Sequence, residues 1–204
     1  MLIATNWILG LLAWLPLVLF AVWCHRSILL GASSVRSFGS FQWGERENRF
    51  AVWIVCIYFF LIPGAAVALL APVWLAGESL GVPWHWEDVA GKWLFGAALS
   101  LLSYVLARFL LVFPATAVDL DPSLFRAWRL SHGNGWRLAL VAVALPYALH
   151  GIVGEAVDAW IPKAWSDVAG VILGYGVGLF EVALLSVAFR SLASEDLIAR
   201  PQGG

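Results

Sequence analysis

Charge is what this sequence has least of. Only 12% of its 204 residues are charged, against 62% hydrophobic, where a soluble domain carries roughly 25% charged residues. That shortage excludes an ordinary water-soluble globule. A formal net charge of −1 also leaves no basic footprint for a nucleic acid. Cysteine is scarce as well: Cys24 and Cys56 lie at different depths of one half of the membrane arrangement derived below, so buried free thiols are expected rather than a disulfide. The motifs of nucleotide, metal and hydrolase chemistry are missing: no Walker-type loop, no His-Glu-x-x-His and no Gly-x-Ser-x-Gly. Gly133-Asn134-Gly135 is a turn, and no cofactor or metal set is read from the chain.

What is present is length without charge. Uncharged stretches run from Leu2 to Cys24, Phe50 to Gly77 and Leu138 to Gly154. Two more are interrupted once each, Trp93 to Val118 by Arg108 and Val168 to Phe189 by Glu181. About 20 apolar residues cross a hydrocarbon core of roughly 30 Å, and the shortest stretch suffices once Trp136 and Arg137 lie among the headgroups. The sequence therefore predicts one all-α domain over residues 1–204, an integral membrane helical bundle. Its five transmembrane helices are expected at about 2–24, 50–76, 93–118, 136–154 and 168–190. The first has no basic n-region and no small-x-small site before Cys24, which argues for a span rather than a cleaved signal.

Sidedness is an addition. Ten of the twelve basic residues fall on one side: Arg26, Arg36, Arg46 and Arg49; Arg108, Arg126, Arg129 and Arg137; Arg190 and Arg200. Only Lys92 and Lys163 fall on the other. Lys and Arg are retained in the cytoplasm, so the N-terminus is expected outside and the C-terminus inside, as an odd span number requires. Tryptophans mark both borders: Trp74, Trp84, Trp86, Trp93, Trp160 and Trp165 outside, Trp23, Trp43, Trp128 and Trp136 inside. Indole suits that half-wet layer, and Trp14 alone lies mid-span. The outer connections hold Glu78, His85, Glu87, Asp88, Glu155, Asp158 and Asp167, an irregular acidic set of the kind positive-inside sorting leaves behind.

Between spans three and four a short amphipathic interfacial helix is expected over 122–132, with Asp121 as N-cap and Pro122 in first position. Leu124, Phe125 and Trp128 share one face, and Arg126 and Arg129 another. Such a helix lies on the inner surface, where Arg126, Arg129 and Trp128 would meet lipid headgroups, anionic ones above all. In the first connection, Phe38, Phe41 and Trp43 precede Glu45, Arg46, Glu47 and Arg49, a similar mixture.

Three blocks carry a family resemblance: His25-Arg26 with Leu29-Leu30-Gly31, the run from Arg108 through Pro114 to Asp119, and the run from Ser123 to Arg137. Together they resemble an uncharacterised family of bacterial inner-membrane proteins, itself similar to the membrane domain attached to some glycerophosphodiester phosphodiesterases and to small YciC-like proteins. The resemblance implies a multi-span protein of the bacterial inner membrane and no established chemistry; the phosphodiesterases' catalytic barrel is missing here.

Span five holds the sharpest internal feature. Gly170, Gly174 and Gly178 recur every four residues and form a face that another helix backbone can approach, in this chain or in a partner or second copy. Glu181 continues that stripe. A carboxyl in hydrocarbon costs a few kcal/mol, so Glu181 is expected to face protein. At 1.5 Å per residue it lies about 20 Å from the outer boundary and Arg108 about 24 Å, so the two are expected to pair. His150 is a further ionisable residue within a span. Three functions follow from different classes: a non-enzymatic lipid-interacting or accessory subunit, the leading reading; a small transporter or half-permease using the Glu181 and Arg108 pair; and a lipid-modifying enzyme using His25, Asp119 and His132.

Overall fold

The computed structural model describes residues 2–31, 43–79 and 89–194, with side-chain placement for 15–31, 43–72, 74–75, 92–93 and 95–194. Residues Arg36, Phe38, Phe41, Trp84, Trp86, His85, Glu87, Asp88 and Arg200 lie outside the described residues, as do the side chains of Trp14 and Glu78. Every described element is helical: α1 (Leu2–Leu30), α2 (Glu45–Val55), α3 (Ile62–Ser79), α4 (Val89–Phe109), α5 (Val112–Ala117), α6 (Leu124–Leu130), α7 (Gly135–Ala139), α8 (Leu145–Trp160) and α9 (Lys163–Leu192). Two π-helical segments, Cys56–Leu61 and Leu140–Ala144, join α2 to α3 and α7 to α8.

Both π segments precede a proline by a few residues, and the reason is steric. Pro63 and Pro146 offer no N–H, and their rings press on the carbonyls of Phe59 and Ala142, four residues back. A wider turn relieves that clash while the helix continues. Four helical stretches among the described residues are long and apolar enough to cross a membrane: Glu45–Pro72, Phe95–Ala117, Gly135–Trp160 and Lys163–Leu192. The backbone of α1 is a 29-residue helix, about 44 Å at 1.5 Å per residue.

Packing is strongest at one end. There α5 is buried along its whole length, from Val112 to Ala117, among Val22, Phe50, Leu185 and Phe189. Its neighbours are α1, α2 and α9, while α8 and α9 form a hairpin and α4 lies against α3, α6 and α7. Away from that end large apolar side chains face outward: Phe60 is 70% exposed, Trp93 76% and Tyr147 82%. In water such a surface drives aggregation; in hydrocarbon it costs nothing.

Helix ends follow local chemistry. At the start of α2, Gly44 N–H donates to Glu47 Oε2 at 2.9 Å, which places the carboxylate on the positive end of the helix dipole. The α6 cap corrects the sequence expectation. Ser123, not Asp121, is the N-cap: its backbone is extended and its Oγ accepts from Arg126 N–H at 3.1 Å. Pro122 therefore precedes the cap and α6 runs 124–130, shorter than 122–132. Gly133, at φ +77°, turns the chain in the left-handed region that favours glycine.

The glycines divide differently from their spacing. A Cβ on Gly170, Gly174 or Gly178 would meet no described atom within 4 Å, whereas one on Gly135 would lie 2.7 Å from the Tyr104 ring. The close helix approach is thus α7 on α4. Gly135→Val is expected to lower stability by about 1–3 kcal/mol through overpacking, while Gly174→Ala is expected to be near neutral. Thermal unfolding in mild detergent reads both, and equal melting temperatures for the two variants would refute the assignment.

Candidate functional site

Two polar centres are built into this apolar frame. The first lies where α1, α2 and α5 converge. The last turn of α5 closes in a Schellman arrangement, with Leu120 N–H donating to Ala115 O at 2.9 Å and Asp119 N–H to Thr116 O at 3.2 Å. The motif requires a left-handed residue, normally glycine, yet Asp119 occupies it at φ +55°. Its carboxylate accepts from Arg46 at 2.7 Å (Nη2) and 3.0 Å (Nε), from Arg49 at 3.2 Å and from Arg26 at 3.4 Å. Arg26 also donates to Ala117 O at 3.0 Å. Burial alone would raise the Asp119 pKa, but the Arg46 hydrogen bonds and the three nearby guanidiniums more than reverse that and hold the carboxyl below its usual range. This end of the bundle is rich in arginine, and α6 is attached to it.

Arg108 does the attaching. It is 5% exposed, donates from Nε to Ser131 Oγ at 2.7 Å and from Nη2 to Trp128 O at 2.6 Å, and lies 3.5 Å from the Trp128 ring centroid. The expected Arg108–Glu181 contact is not formed. The chain after α5 folds back on α4, which places an indole, a hydroxyl and a carbonyl beside the guanidinium. Trp128, expected as a headgroup anchor, stacks on Arg108 with the Phe109 ring centroid 5.6 Å away and stays 37% exposed. Phe125 remains outward, 74% exposed, with Arg129 5.8 Å from its ring centroid; Arg126 is partly buried beside them.

The second centre is a cavity that reaches from buried His25 to the bundle surface, where the Glu181 side chain is 40% exposed. Its volume is about 380 Å³, and it is bounded by α1, α2, α5, α9 and both π segments. Its wall is aliphatic and aromatic except for His25, Tyr58, Tyr175 and Glu181. Glu181 Oε1 stands 3.8 Å from His150 Nε2, because α8 is the hairpin partner of α9. His25 is 1% exposed, and its Nδ1 lies 2.6 Å from Ser186 Oγ. The Ser186 hydroxyl donates to Val182 O at 2.7 Å, so it accepts from His25 Nδ1–H. That leaves His25 Nε2 as an acceptor in the neutral ring. Gly174 and Gly178 belong to the cavity wall, and a Cβ on either would meet no described atom of this chain within 4 Å.

His25, Asp119 and His132, grouped in the sequence as acid–base candidates, are engaged separately: His25 on Ser186, Asp119 on arginines, and His132 exposed. Cys24 and Cys56 are free thiols. Among the described residues no group of three His, Cys, Asp or Glu side chains comes together. Sequence reasoning missed the arginine ring around Asp119 and the His25–Ser186 contact; Pro63 and Pro146 inside apolar stretches were the available signal for the widened turns beside the cavity.

No family model, curated protein or solved structure matches this chain.

Proposed function

We propose that this is a five-span protein of the bacterial inner membrane, N-terminus outside and C-terminus in the cytoplasm, that acts without catalysis as a lipid-interacting accessory subunit. The observation that carries the reading is the arginine-rich end with α6 attached to it. Phe125 lies outward beside Arg129, which suits a helix at the level of the headgroups, and a few residues before it Arg26, Arg46 and Arg49 gather on Asp119, with Glu47 4.0 Å from Arg46. Positive residues on the cytoplasmic side orient the chain, and each gains roughly 1 kcal/mol near an anionic leaflet. The family resemblance supports the same compartment.

The experiment is lipid retention. The detergent-purified protein is expected to hold phosphatidylglycerol in preference to phosphatidylcholine by native mass spectrometry. Arg126→Glu with Arg129→Glu should weaken that preference at least about tenfold while leaving helical circular dichroism unchanged. Equal retention of both lipids by the unaltered protein would sink the headgroup reading. Orientation is tested separately by impermeant thiol reagents on a chain lacking Cys24 and Cys56, where a cysteine at Ser79 should label in intact cells and one at Ser40 should not.

The Glu181–His150 contact supports a second reading, a small transporter for protons or cations. It requires flux in proteoliposomes that Glu181→Gln abolishes; absence of flux leaves the lipid reading alone.

A further inference from the structure

The geometry points to the cavity between α1, α2 and α9 as a binding site for an uncharged, single-chain membrane lipid whose head bears hydroxyl groups. The head lies at His25 and Glu181, and the chain runs along α9 toward Gly174. This site is separate from the α6 surface.

The polar end comes first. His25 is almost wholly buried, forms part of the cavity wall, and spends Nδ1–H on Ser186. Nε2 is left as an acceptor with no protein partner among the described residues. An acceptor on a residue that lines a cavity can take a hydrogen bond from whatever fills it. A hydroxyl entering the cavity supplies what Nε2 lacks. On α9, Glu181 lies five residues before Ser186, about 7.5 Å along the axis, and gives a head with more than one hydroxyl a second partner.

The rest of the wall suits a hydrocarbon chain. Beyond Glu181 it is formed by Leu17, Val18, Leu179, the Tyr175 ring and the faces of Gly174 and Gly178. The absent glycine side chains, together with the widened turns at Tyr58 and Ala142, leave the space open. At about 380 Å³ the cavity falls within the roughly 300–1,000 Å³ of small-molecule sites, and it is far too narrow for a helix about 10 Å across. Depth agrees with orientation. Arg26, the residue after His25, reaches Ala117 O and Asp119 at the arginine-rich end, so the polar end of the cavity lies toward that surface and its apolar end toward the interior. A lipid of that leaflet lies the same way.

The head is not anionic because the wall offers an anion nothing, and not cationic because Glu181, the acidic group in the wall, already lies 3.8 Å from His150 Nε2. Among the described residues no guanidinium or ammonium lines the cavity, and Glu181 lies within it; the nearby arginines are committed to Asp119 and Ala117.

The test uses the full chain in phosphatidylcholine nanodiscs and a monoacylglycerol with a photoreactive diazirine midway along its chain. Adducts mapped by peptide mass spectrometry are expected on residues 174–185 and at Tyr58. Excess unlabelled monoacylglycerol should displace the probe, and a fatty acid of equal length should not. Gly178→Leu, which fills open space, should reduce labelling about tenfold, while Gly151→Leu, outside the cavity, leaves it unchanged. Arg126→Glu with Arg129→Glu should not alter labelling, so the two lipid readings fail separately. Adducts at equal yield on outward residues such as Phe60 and Ile172, undiminished labelling of Gly178→Leu, or equal competition by the fatty acid would each overturn the assignment.

Discussion

Replacing Arg108 with alanine is expected to destabilise the protein by about 3–5 kcal/mol and to release α6 from the bundle. The guanidinium makes two charged hydrogen bonds, to Ser131 Oγ and Trp128 O, each contributing about 1.5–3 kcal/mol. Its stacking on Trp128 adds about 0.5–2 kcal/mol in a desolvated setting. Part of the sum returns because Ser131 Oγ–H still donates to Trp128 O at 2.9 Å. Arg108→Lys keeps the charge but loses the planar fork and the stacking, so it should recover less than half. Amide exchange should quicken across 124–130 while 176–190 stays protected. A double-mutant cycle separates this account from an Arg108–Glu181 pair: with different partners for the two residues, losses in Arg108→Gln and Glu181→Gln should add within about 0.3–0.5 kcal/mol. A coupling well above that value would restore the pair.

Matched depth was the reason to pair Arg108 with Glu181, and depth is legible from a sequence. Azimuth and neighbour identity are not. Glu181 turns to His150 because a two-residue connection makes α8 and α9 a hairpin, and Arg108 turns to Trp128 because the chain folds back after Asp119. The apolar stretches were legible because hydrophobic length is a one-dimensional quantity, and the helical stretches at 45–72, 95–117, 135–160 and 163–192 fall on them. The glycine stripe has a limit of the same kind. Spacing shows that Gly170, Gly174 and Gly178 share a face, but not whether a neighbour approaches it; the crowded glycine, Gly135, has no repeat to announce it. Asp119 was hidden by its residue type, since an aspartate at a left-handed position does not read as a helix terminator.

Asp119→Asn is therefore expected to have the other large effect, about 2–3 kcal/mol, with a change in acid sensitivity. Asparagine tolerates the left-handed backbone at φ +55°, so the loss reports the charge rather than the turn. Removing that charge leaves Arg26, Arg46 and Arg49 facing one another with only Glu47, 4.0 Å from Arg46, as a nearby carboxylate. Charged hydrogen bonds contribute about 1.5–3 kcal/mol each, but the Asp119 side chain is 34% exposed, so water and salt screen the sum and the lower part of the range applies. The pH dependence follows from the lowered Asp119 pKa. A carboxyl held below its unfolded value stabilises fully above the ordinary aspartate range, near about 4. That contribution is lost as pH falls through the lower native pKa. The unaltered protein should thus lose stability on acidification below about pH 4, and Asp119→Asn should lose less over the same interval, having no carboxyl there to protonate. Asp119→Gly separates strain from charge: it relieves about 1–2 kcal/mol of left-handed backbone cost while removing the same anion, so it should be more stable than Asp119→Ala. Unfolding in mild detergent from pH 3 to pH 7 reads all four proteins. If Asp119→Asn matches the unaltered chain at pH 7, the carboxylate is not what holds α1, α2 and α5 together at the arginine-rich end.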